Sequence, residues 1–215
     1  MFSDSARDYP RPANEAMSPI KSICVYCGSG FGSDPVFKES AAALGRAMAE
    51  GGISLVYGGG NVGLMGTVAR SVLDHGGYVT GIIPDFLKSR EKMLDDVQET
   101  IVVPDMHTRK RLMFDKADAF VALPGGIGTL EELVEQMTWS QLGQHTKPIL
   151  MLSIKGFWKP LLGLLAHMRE QGFIRDGLEL NYLVAEQTKD VLPMLEAYAR
   201  RVGIVENEEL IEQRF

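Results

Sequence analysis

The segment from Ala119 to Glu132, which reads AFVALPGGIGTLEE, limits the possible folds of this chain more than any other segment. A short apolar run breaks at Pro124, turns through glycines and enters a helical pattern at Thr129, which is the order strand, turn, helix. The free backbone N–H groups and the positive dipole end of such a helix form a site for an anion. Two carboxylates, Glu131 and Glu132, follow at once in the helix. This arrangement predicts chemistry on a small phosphorylated molecule.

Strand and helix patterns alternate along the whole chain. Apolar runs of strand length occur at Ile20–Cys27, Ile53–Tyr57, Tyr78–Ile83, Thr100–Val103, Ala119–Leu123 and Pro148–Ser153. Helical patterns occur at Pro35–Glu50, Leu64–His75, Met106–Lys116, Thr129–Leu142, Phe157–Gln171 and Thr188–Val202. Short apolar strands that alternate with helices are typical of a parallel sheet covered on both faces. The sequence therefore predicts an α/β fold with a Rossmann-like, doubly wound parallel sheet in three α/β/α layers.

The length of 215 residues fits one domain of this kind. We expect a disordered lead-in over residues 1–18, one Rossmann-like α/β domain over 19–203 and an acidic tail over 204–215. The net charge of −6 argues against a nucleic-acid polymer or an anionic membrane as partner. No apolar run approaches the roughly 18 residues of a membrane span, and the N-terminus lacks the apolar core of a signal peptide. We expect a cytoplasmic protein.

Cys24 and Cys27 form a C-x-x-C pattern within a predicted strand. Three steps along a strand separate two Cα atoms by about 10 Å and place the side chains on opposite faces. That separation is too large for a disulfide. The sequence predicts two ordinary core thiols.

Three predicted strands end in glycine-rich turns, at residues 28–32, 58–63 and 125–128. Because the carboxyl ends of parallel strands meet at one edge of a sheet, these turns converge on one crevice. They predict a nucleotide or sugar-phosphate site with contacts from Ser29, Gly59, Gly60, Gly125, Gly126 and Gly128. The alternative is that the glycines only allow helix and strand to pack closely.

The middle turn also matches the dinucleotide pattern G-x-G-x-x-G, with Asp85 at about the distance of a ribose-binding acid. An NAD-dependent enzyme is therefore an alternative. Against it, this turn follows the second predicted strand and does not open the domain. Pro84 also places Asp85 in a turn whose direction the sequence does not define.

Glu132 has two interpretations. Thr129 and Glu132 have the spacing of a capping box, in which both residues would serve the helix N-terminus. The apolar stripe through Leu130, Leu133 and Met137 points to the core and places Glu132 roughly opposite. Glu132 would then face solvent, the crevice or another subunit, and spacing alone does not choose between cap and catalyst.

The helix before this strand carries two cations at unusual positions. Arg109 and Lys110 flank the apolar stripe that Met106 and Met113 define, so we expect them on the side that faces the sheet. A cation there needs a partner or an anion, because an unpaired buried charge is very costly. An arginine fork suits a carboxylate or a phosphate. The alternative is that Arg109 and Lys110 both extend to the surface. We expect the neighbouring His107 at the surface.

The motif P-G-G-x-G-T-x-x-E at Pro124–Glu132, together with M-H-x-R-K at Met106–Lys110, resembles the "lonely guy" family of cytokinin-activating phosphoribohydrolases. The similarity includes residues 26–29, 58–66 and 138–139 and extends over about residues 20–202. Proteins of this kind often carry the label lysine decarboxylase. The residues do not support that label, since no lysine stands out as a pyridoxal Schiff-base site.

The resemblance implies hydrolysis of the N-glycosidic bond of a nucleoside 5′-monophosphate, which releases the free base and ribose 5-phosphate. Cytokinin riboside monophosphates and AMP are the implied substrates, with no cofactor and no metal. Arg109 and Glu132 are the implied catalytic pair. The other implied substrate contacts are Glu91, Lys110, Gly126, Ile127, Gly128, Thr129, Leu130, Glu131 and Thr138.

The resemblance further implies a homodimer or larger homo-oligomer, with the helix after the P-G-G motif near the subunit interface. Met137, Trp139 and Leu142 would suit that interface, and core packing would explain them equally well. A non-catalytic nucleotide sensor or carrier is the alternative function, because one fold serves many functions.

Overall fold

The structure is a computed structural model that describes residues 20–88, 94, 96–175, 177 and 179–212. Its seven strands are β1 Ser22–Tyr26, β2 Ser54–Tyr57, β3 Val79–Pro84, β4 Glu99–Val103, β5 Ala119–Ala122, β6 Ile149–Leu152 and β7 Leu183–Ala185. Its α-helices are α1 Pro35–Glu50, α2 Gly63–Asp74, α3 Met106–Asp115, α4 Ile127–Gln141, α5 Lys159–Glu170 and α6 Val191–Glu212.

The strands form one parallel sheet in the order β4-β3-β2-β1-β5-β6-β7. The chain winds outward from β1 in one direction as far as β4, then returns to the other side of β1 with β5. This confirms the predicted doubly wound fold. The order reverses between β1 and β5, whose ends are level because Tyr26 pairs with Ala122. A crevice for a ligand is expected beyond the carboxyl ends of these two strands.

Two apolar cores lie on the two faces of the sheet and give the predicted three layers. One contains Ile23 and Val25 and is covered by side chains of α1, α2 and α6. The other contains Cys24 and Tyr26 and is covered by side chains of α3, α4 and α5. Burial of apolar surface on both faces is the main stabilising contribution to such a sheet.

The cysteine prediction is confirmed, since Cys24 and Cys27 are buried free thiols in different cores. Burial raises the pKa of both thiols well above the usual value. A thiol that stays protonated is a poor nucleophile and a poor metal ligand.

The predicted capping box at Thr129 is wrong. Helix α4 begins at Ile127, and its N-cap is Gly126 in an extended conformation. Thr129 is therefore the third residue of the helix and is buried, and Glu132 lies beyond the N3 position. The helix therefore begins two residues earlier than the side-chain pattern indicates.

Two other predictions need correction at the C-terminal side of the chain. Strand β7 was not predicted, because its three residues are too short to show a periodic pattern. Helix α6 begins at Val191 after a 3-10 turn and extends to Glu212, beyond the predicted end at Val202. Glu91 and the lead-in over residues 1–18 lie outside the described residues. Within the described part of the chain, no helix is long and apolar enough to cross a membrane.

Candidate active site

A cavity of about 310 Å³ opens at the carboxyl ends of β1 and β5. Eight of the predicted site residues line it: Ser29, Arg109, Gly126, Ile127, Gly128, Thr129, Glu131 and Glu132. Four residues that the sequence analysis did not assign as contacts also line it: Cys27, Gly28, Met65 and Met106. The first turn of α4 thus forms one wall of the cavity, and α3 contributes Met106 and Arg109.

The N-terminus of α4 has the free backbone N–H groups that the sequence predicts, and it borders the cavity. The nitrogen of Leu130 donates to the oxygen of Gly126 at 3.0 Å, which is the first hydrogen bond of the helix. The preceding N–H groups of α4 have no acceptor within the helix. A Cβ atom placed on Gly126 or Gly128 would meet no atom within 4 Å. The space beside these two glycines, which line the cavity, is therefore open to a ligand.

Gly125, which was also predicted as a contact, has a packing role. The nitrogen of Gly28 donates to the oxygen of Pro124 at 3.1 Å, so the turns after β1 and β5 touch each other. A Cβ on Gly125 would overlap Oγ1 of Thr129 and lie 2.9 Å from the nitrogen of Gly28. Gly125 borders a smaller apolar cavity of about 200 Å³, beside Phe31, Phe37 and Phe157.

The glycines of the middle turn are buried and do not line the larger cavity. Gly59 has a φ of +84°, and a Cβ there would lie 3.1 Å from Cβ of Ile83. Gly58 packs directly against the guanidinium of Arg109. Gly59 and Gly60 do not line this cavity, and their neighbour Gly58 supports the arginine.

Arg109 is the most constrained charged residue of the cavity, at 7% exposure. Its Nε donates to the oxygen of Ile82 and its Nη2 to the oxygen of Gly58, both at 3.2 Å. Its Nη1 faces Sδ of Met106 at 3.8 Å and Oε1 of Glu132 at 3.8 Å. The position on the sheet side of α3 is as predicted, and the partners are two carbonyls and one carboxylate.

Glu132 faces the cavity, with only 13% of its side chain exposed. Burial raises the pKa of Glu132 to about 7, against the lowering effect of the Arg109 charge, and the negative charge of Glu131 raises it further. A carboxyl group that titrates near neutral pH is suited to proton transfer under physiological conditions.

Lys110 was predicted as a substrate contact but is engaged elsewhere. Its Nζ donates to Oε1 of Glu131 at 2.7 Å and to Oε1 of Glu135 at 2.8 Å. The side chain is 13% exposed, does not line the cavity and joins α3 to α4. Its charge offsets that of Glu131 in the cavity wall.

Two other predicted contacts do not line the cavity. Leu130 packs against the core, and Oγ1 of Thr138 donates to the oxygen of Val134 at 2.8 Å. Thr138 is six residues beyond Glu132, about 9 Å further along the helix axis. His107 is exposed, as expected. Asp85, the acid of the NAD alternative, is exposed 4.0 Å from Lys88 and does not line the cavity.

The sheet order identifies the chain as a Rossmann-type α/β protein. Its cleft lies where the strand order reverses and contains a buried, ionisable arginine–glutamate pair. Residues 65–195 match the family model described as "Possible lysine decarboxylase". The chain is 46% identical to a probable cytokinin riboside 5′-monophosphate phosphoribohydrolase of Oryza sativa subsp. japonica, over 83% of this chain and 80% of the relative. It is 45% identical to a cytokinin riboside 5′-monophosphate phosphoribohydrolase of Arabidopsis thaliana, over 86% and 85%. The chain belongs to this "lonely guy" family of phosphoribohydrolases.

Solved structures with the same fold include the molybdenum cofactor binding protein of Rippkaea orientalis. That protein superposes with a TM-score of 0.61 at 22% identity, over 84% of this chain and 98% of the other. At this level of identity the likeness concerns the fold alone.

Proposed function

We propose that this protein hydrolyses the N-glycosidic bond of adenosine 5′-monophosphates, including those with a prenyl group on N6, to the free base and ribose 5-phosphate. One observation carries the proposal: the buried pair of Arg109 and Glu132 lines the same cavity as the N-terminus of α4. Relatives at 42–46% identity are named as cytokinin riboside 5′-monophosphate phosphoribohydrolases.

The first turn of α4 would bind the 5′-phosphate. Backbone N–H groups and the helix dipole attract an anion there, and Gly126 and Gly128 leave the space open. Glu131 alone would repel a phosphate, and the ion pair with Lys110 offsets that repulsion. A phosphate held at this point would place the ribose along α4 towards Glu132, one turn further on.

Cleavage of the glycosidic bond develops positive charge on the ribose, and the electron pair of the bond departs with the base. The Glu132 carboxylate would stabilise that charge and orient a water molecule towards C1′. The water oxygen forms the new bond to C1′, and Glu132 accepts one of its protons. Arg109 would hold the carboxylate in place through its charge at 3.8 Å. The departing base gains a proton from solvent or from Glu132 once that group is protonated.

The test is the release of free base from AMP and from N6-isopentenyladenosine 5′-monophosphate, followed by chromatography. The two unphosphorylated ribosides serve as matched controls. Release from the monophosphates and not from the ribosides is the expected result, because phosphate binding positions the ribose. Tight binding of AMP with no release would contradict the proposal and favour a nucleotide sensor or carrier.

We further propose that the protein forms a homodimer through the outer face of α4. Ile127 and Val134 on this helix and Leu142 at its C-cap are 81%, 41% and 67% exposed. Of the residues suggested by the sequence, Met137 lies in the core and Trp139 packs edge-on against Phe114 at 5.3 Å. Light scattering should give twice the mass of 23.7 kDa, and Leu142→Glu should shift the protein towards the monomer. A monomeric wild-type protein would contradict this.

A further inference from the structure

Gly58, the residue that follows β2, lies directly beneath the guanidinium of Arg109. A Cβ atom on Gly58 would overlap Nη2 of Arg109 and lie 3.2 Å from its Cζ. The next nearest atom to that position is Sδ of Met65, at an ordinary contact distance of 3.6 Å. Among the residues that the structure describes, the arginine is therefore the group that requires the side chain of residue 58 to be absent.

The backbone of Gly58 does not itself require glycine. The glycines with positive φ in this turn are Gly59, at +84°, and Gly63, at +66°, whereas Gly58 has an ordinary φ. An alanine at residue 58 would therefore not be forced into the left-handed region. The requirement arises from the contact with Arg109, a residue 51 positions away in the sequence.

The guanidinium is held by two neighbouring strands. Nη2 donates to the oxygen of Gly58 after β2, and Nε donates to the oxygen of Ile82 in β3. A guanidinium is planar, with its donors in fixed directions. When these two bonds are made, Nη1 is directed towards Glu132, at 3.8 Å. The ends of β2 and β3 thus set the direction in which the guanidinium of Arg109, a residue of α3, points.

We propose that Gly58 is a positioning residue for hydrolysis, because the absence of its side chain allows Arg109 to lie on the ends of β2 and β3 with Nη1 directed at Glu132. The kinetic consequence rests on the proposed function. The placement of Arg109 rests on the geometry alone. Gly58 acts through Arg109 and touches no substrate.

The test is a cycle of four proteins: wild type, Gly58→Ala, Arg109→Lys and the double variant. Gly58→Ala should fold, and its kcat should fall at least about tenfold with a small change in KM. The reason is that the displaced Arg109 charge acts mainly in the transition state. Lysine has no Nη2 to be displaced. Adding Gly58→Ala to the Arg109→Lys protein should therefore lower kcat by less than about twofold. If the fold-loss in kcat of the double variant equalled the product of the two single fold-losses, the proposal would be overturned.

A second measurement separates positioning from a general loss of packing. Glu132 is faced by Arg109 and Lys110 from α3, by Glu131 and Glu135 from its own helix, and by the neutral Cys24, Tyr26 and Cys27 at β1. Gly58→Ala withdraws only the Arg109 charge, so the Glu132 carboxyl, followed by ¹³C NMR, should titrate at higher pH than in the wild type. Gly45→Ala is the control, because its Cβ would lie 2.6 Å from the oxygen of Val68 in the contact between α1 and α2. It should lower the melting temperature and leave the titration of Glu132 unchanged.

An unchanged titration in Gly58→Ala, or an equal shift in Gly45→Ala, would overturn the proposal. The NMR titration needs no turnover. If the wild-type protein released no base, the proposed function would fail, and the titration would still decide whether Gly58 positions Arg109.

Discussion

Nη1 of Arg109 lies 3.8 Å from Oε1 of Glu132, and the two side chains are 9% and 13% exposed. This distance exceeds that of a direct hydrogen bond, about 2.7–3.2 Å. The arginine therefore acts on Glu132 through its charge and leaves the carboxylate oxygens able to accept from water or substrate. The pair also explains why burial raises the pKa of Glu132 only to about 7: the nearby cation offsets part of the effect of burial.

Glu132→Gln should stabilise the protein at high pH. Because burial raises the pKa of Glu132 from 4.5 to about 7, the folded state binds the proton more tightly than the unfolded state. The contribution of Glu132 to the free energy of unfolding therefore falls as pH rises from about 4.5 to 7 and is constant above that range. The free energy of unfolding of the variant should exceed that of the wild type by at most about 3 kcal/mol at pH 8. At pH 4 the two values should differ little.

Urea denaturation of both proteins at pH 4 and pH 8 measures this difference. Glu131→Gln is the control, since its carboxyl group is half exposed. A wild type that is more stable than Glu132→Gln at pH 8 would show that Glu132 is ionised without cost, and would contradict the assigned pKa shift.

The pH dependence of turnover should report the same group. If the ionised Glu132 stabilises the ribose cation, kcat/KM should rise with pH through about 7 and then level, as burial raises the pKa of Glu132. Initial rates with AMP at constant ionic strength measure this profile. A rate that falls with rising pH through the same range would instead assign Glu132 as a proton donor.

Gly128→Ala and Gly125→Ala should separate ligand binding from packing. A Cβ atom added at Gly128 would meet no protein atom within 4 Å, so Gly128→Ala should fold with equal or slightly higher stability, by up to about 1 kcal/mol. The methyl group would enter the phosphate space and should raise KM for AMP about tenfold, since about 1.4 kcal/mol of binding would be lost.

Gly125→Ala should behave in the opposite way. Its Cβ would overlap Oγ1 of Thr129, and overpacking of this kind costs about 1–3 kcal/mol. Thermal unfolding and initial rates of the two variants decide the assignment. An unchanged KM in Gly128→Ala would argue against phosphate binding at the N-terminus of α4.

Lys110→Met should destabilise the contact between α3 and α4. It removes two ion pairs at 2.7 and 2.8 Å and leaves the 21%-exposed side chain of Glu135 without its cation. We expect a loss of roughly 2 kcal/mol, because an uncompensated, largely buried charge is costly. Glu131→Gln, whose carboxyl group is 53% exposed, should cost less than about 1 kcal/mol. Equal losses in the two variants, measured by urea denaturation, would show that the Glu135 pair contributes nothing.

Sequence patterns predicted the features that depend on local periodicity. The strand, turn and helix around Pro124, the opposite faces of Cys24 and Cys27, and the sheet-facing side of Arg109 all follow from the 2-residue and 3.6-residue periods. The start of α4 was wrong by two residues, because a glycine N-cap gives no side-chain signal of the kind that Thr129 gave.

The features that were missed depend on contacts between distant residues. The contact of Gly58 with Arg109 spans 51 positions, and no spacing rule relates them. The same holds for Lys110, whose two partners lie on another helix. The glycine-rich turns therefore predicted which end of the sheet carries the cavity, whereas the different surroundings of Gly58, Gly125 and Gly128 required the packed structure.

The most direct test of the account is the turnover of N6-isopentenyladenosine 5′-monophosphate by Glu132→Gln and by the wild type at pH 8, with circular dichroism and AMP binding as controls for folding and for an intact site. We predict that kcat falls at least about 100-fold while AMP still binds, because the neutral amide neither stabilises the ribose cation nor accepts a proton. Normal turnover by the folded variant would contradict the central role of Glu132.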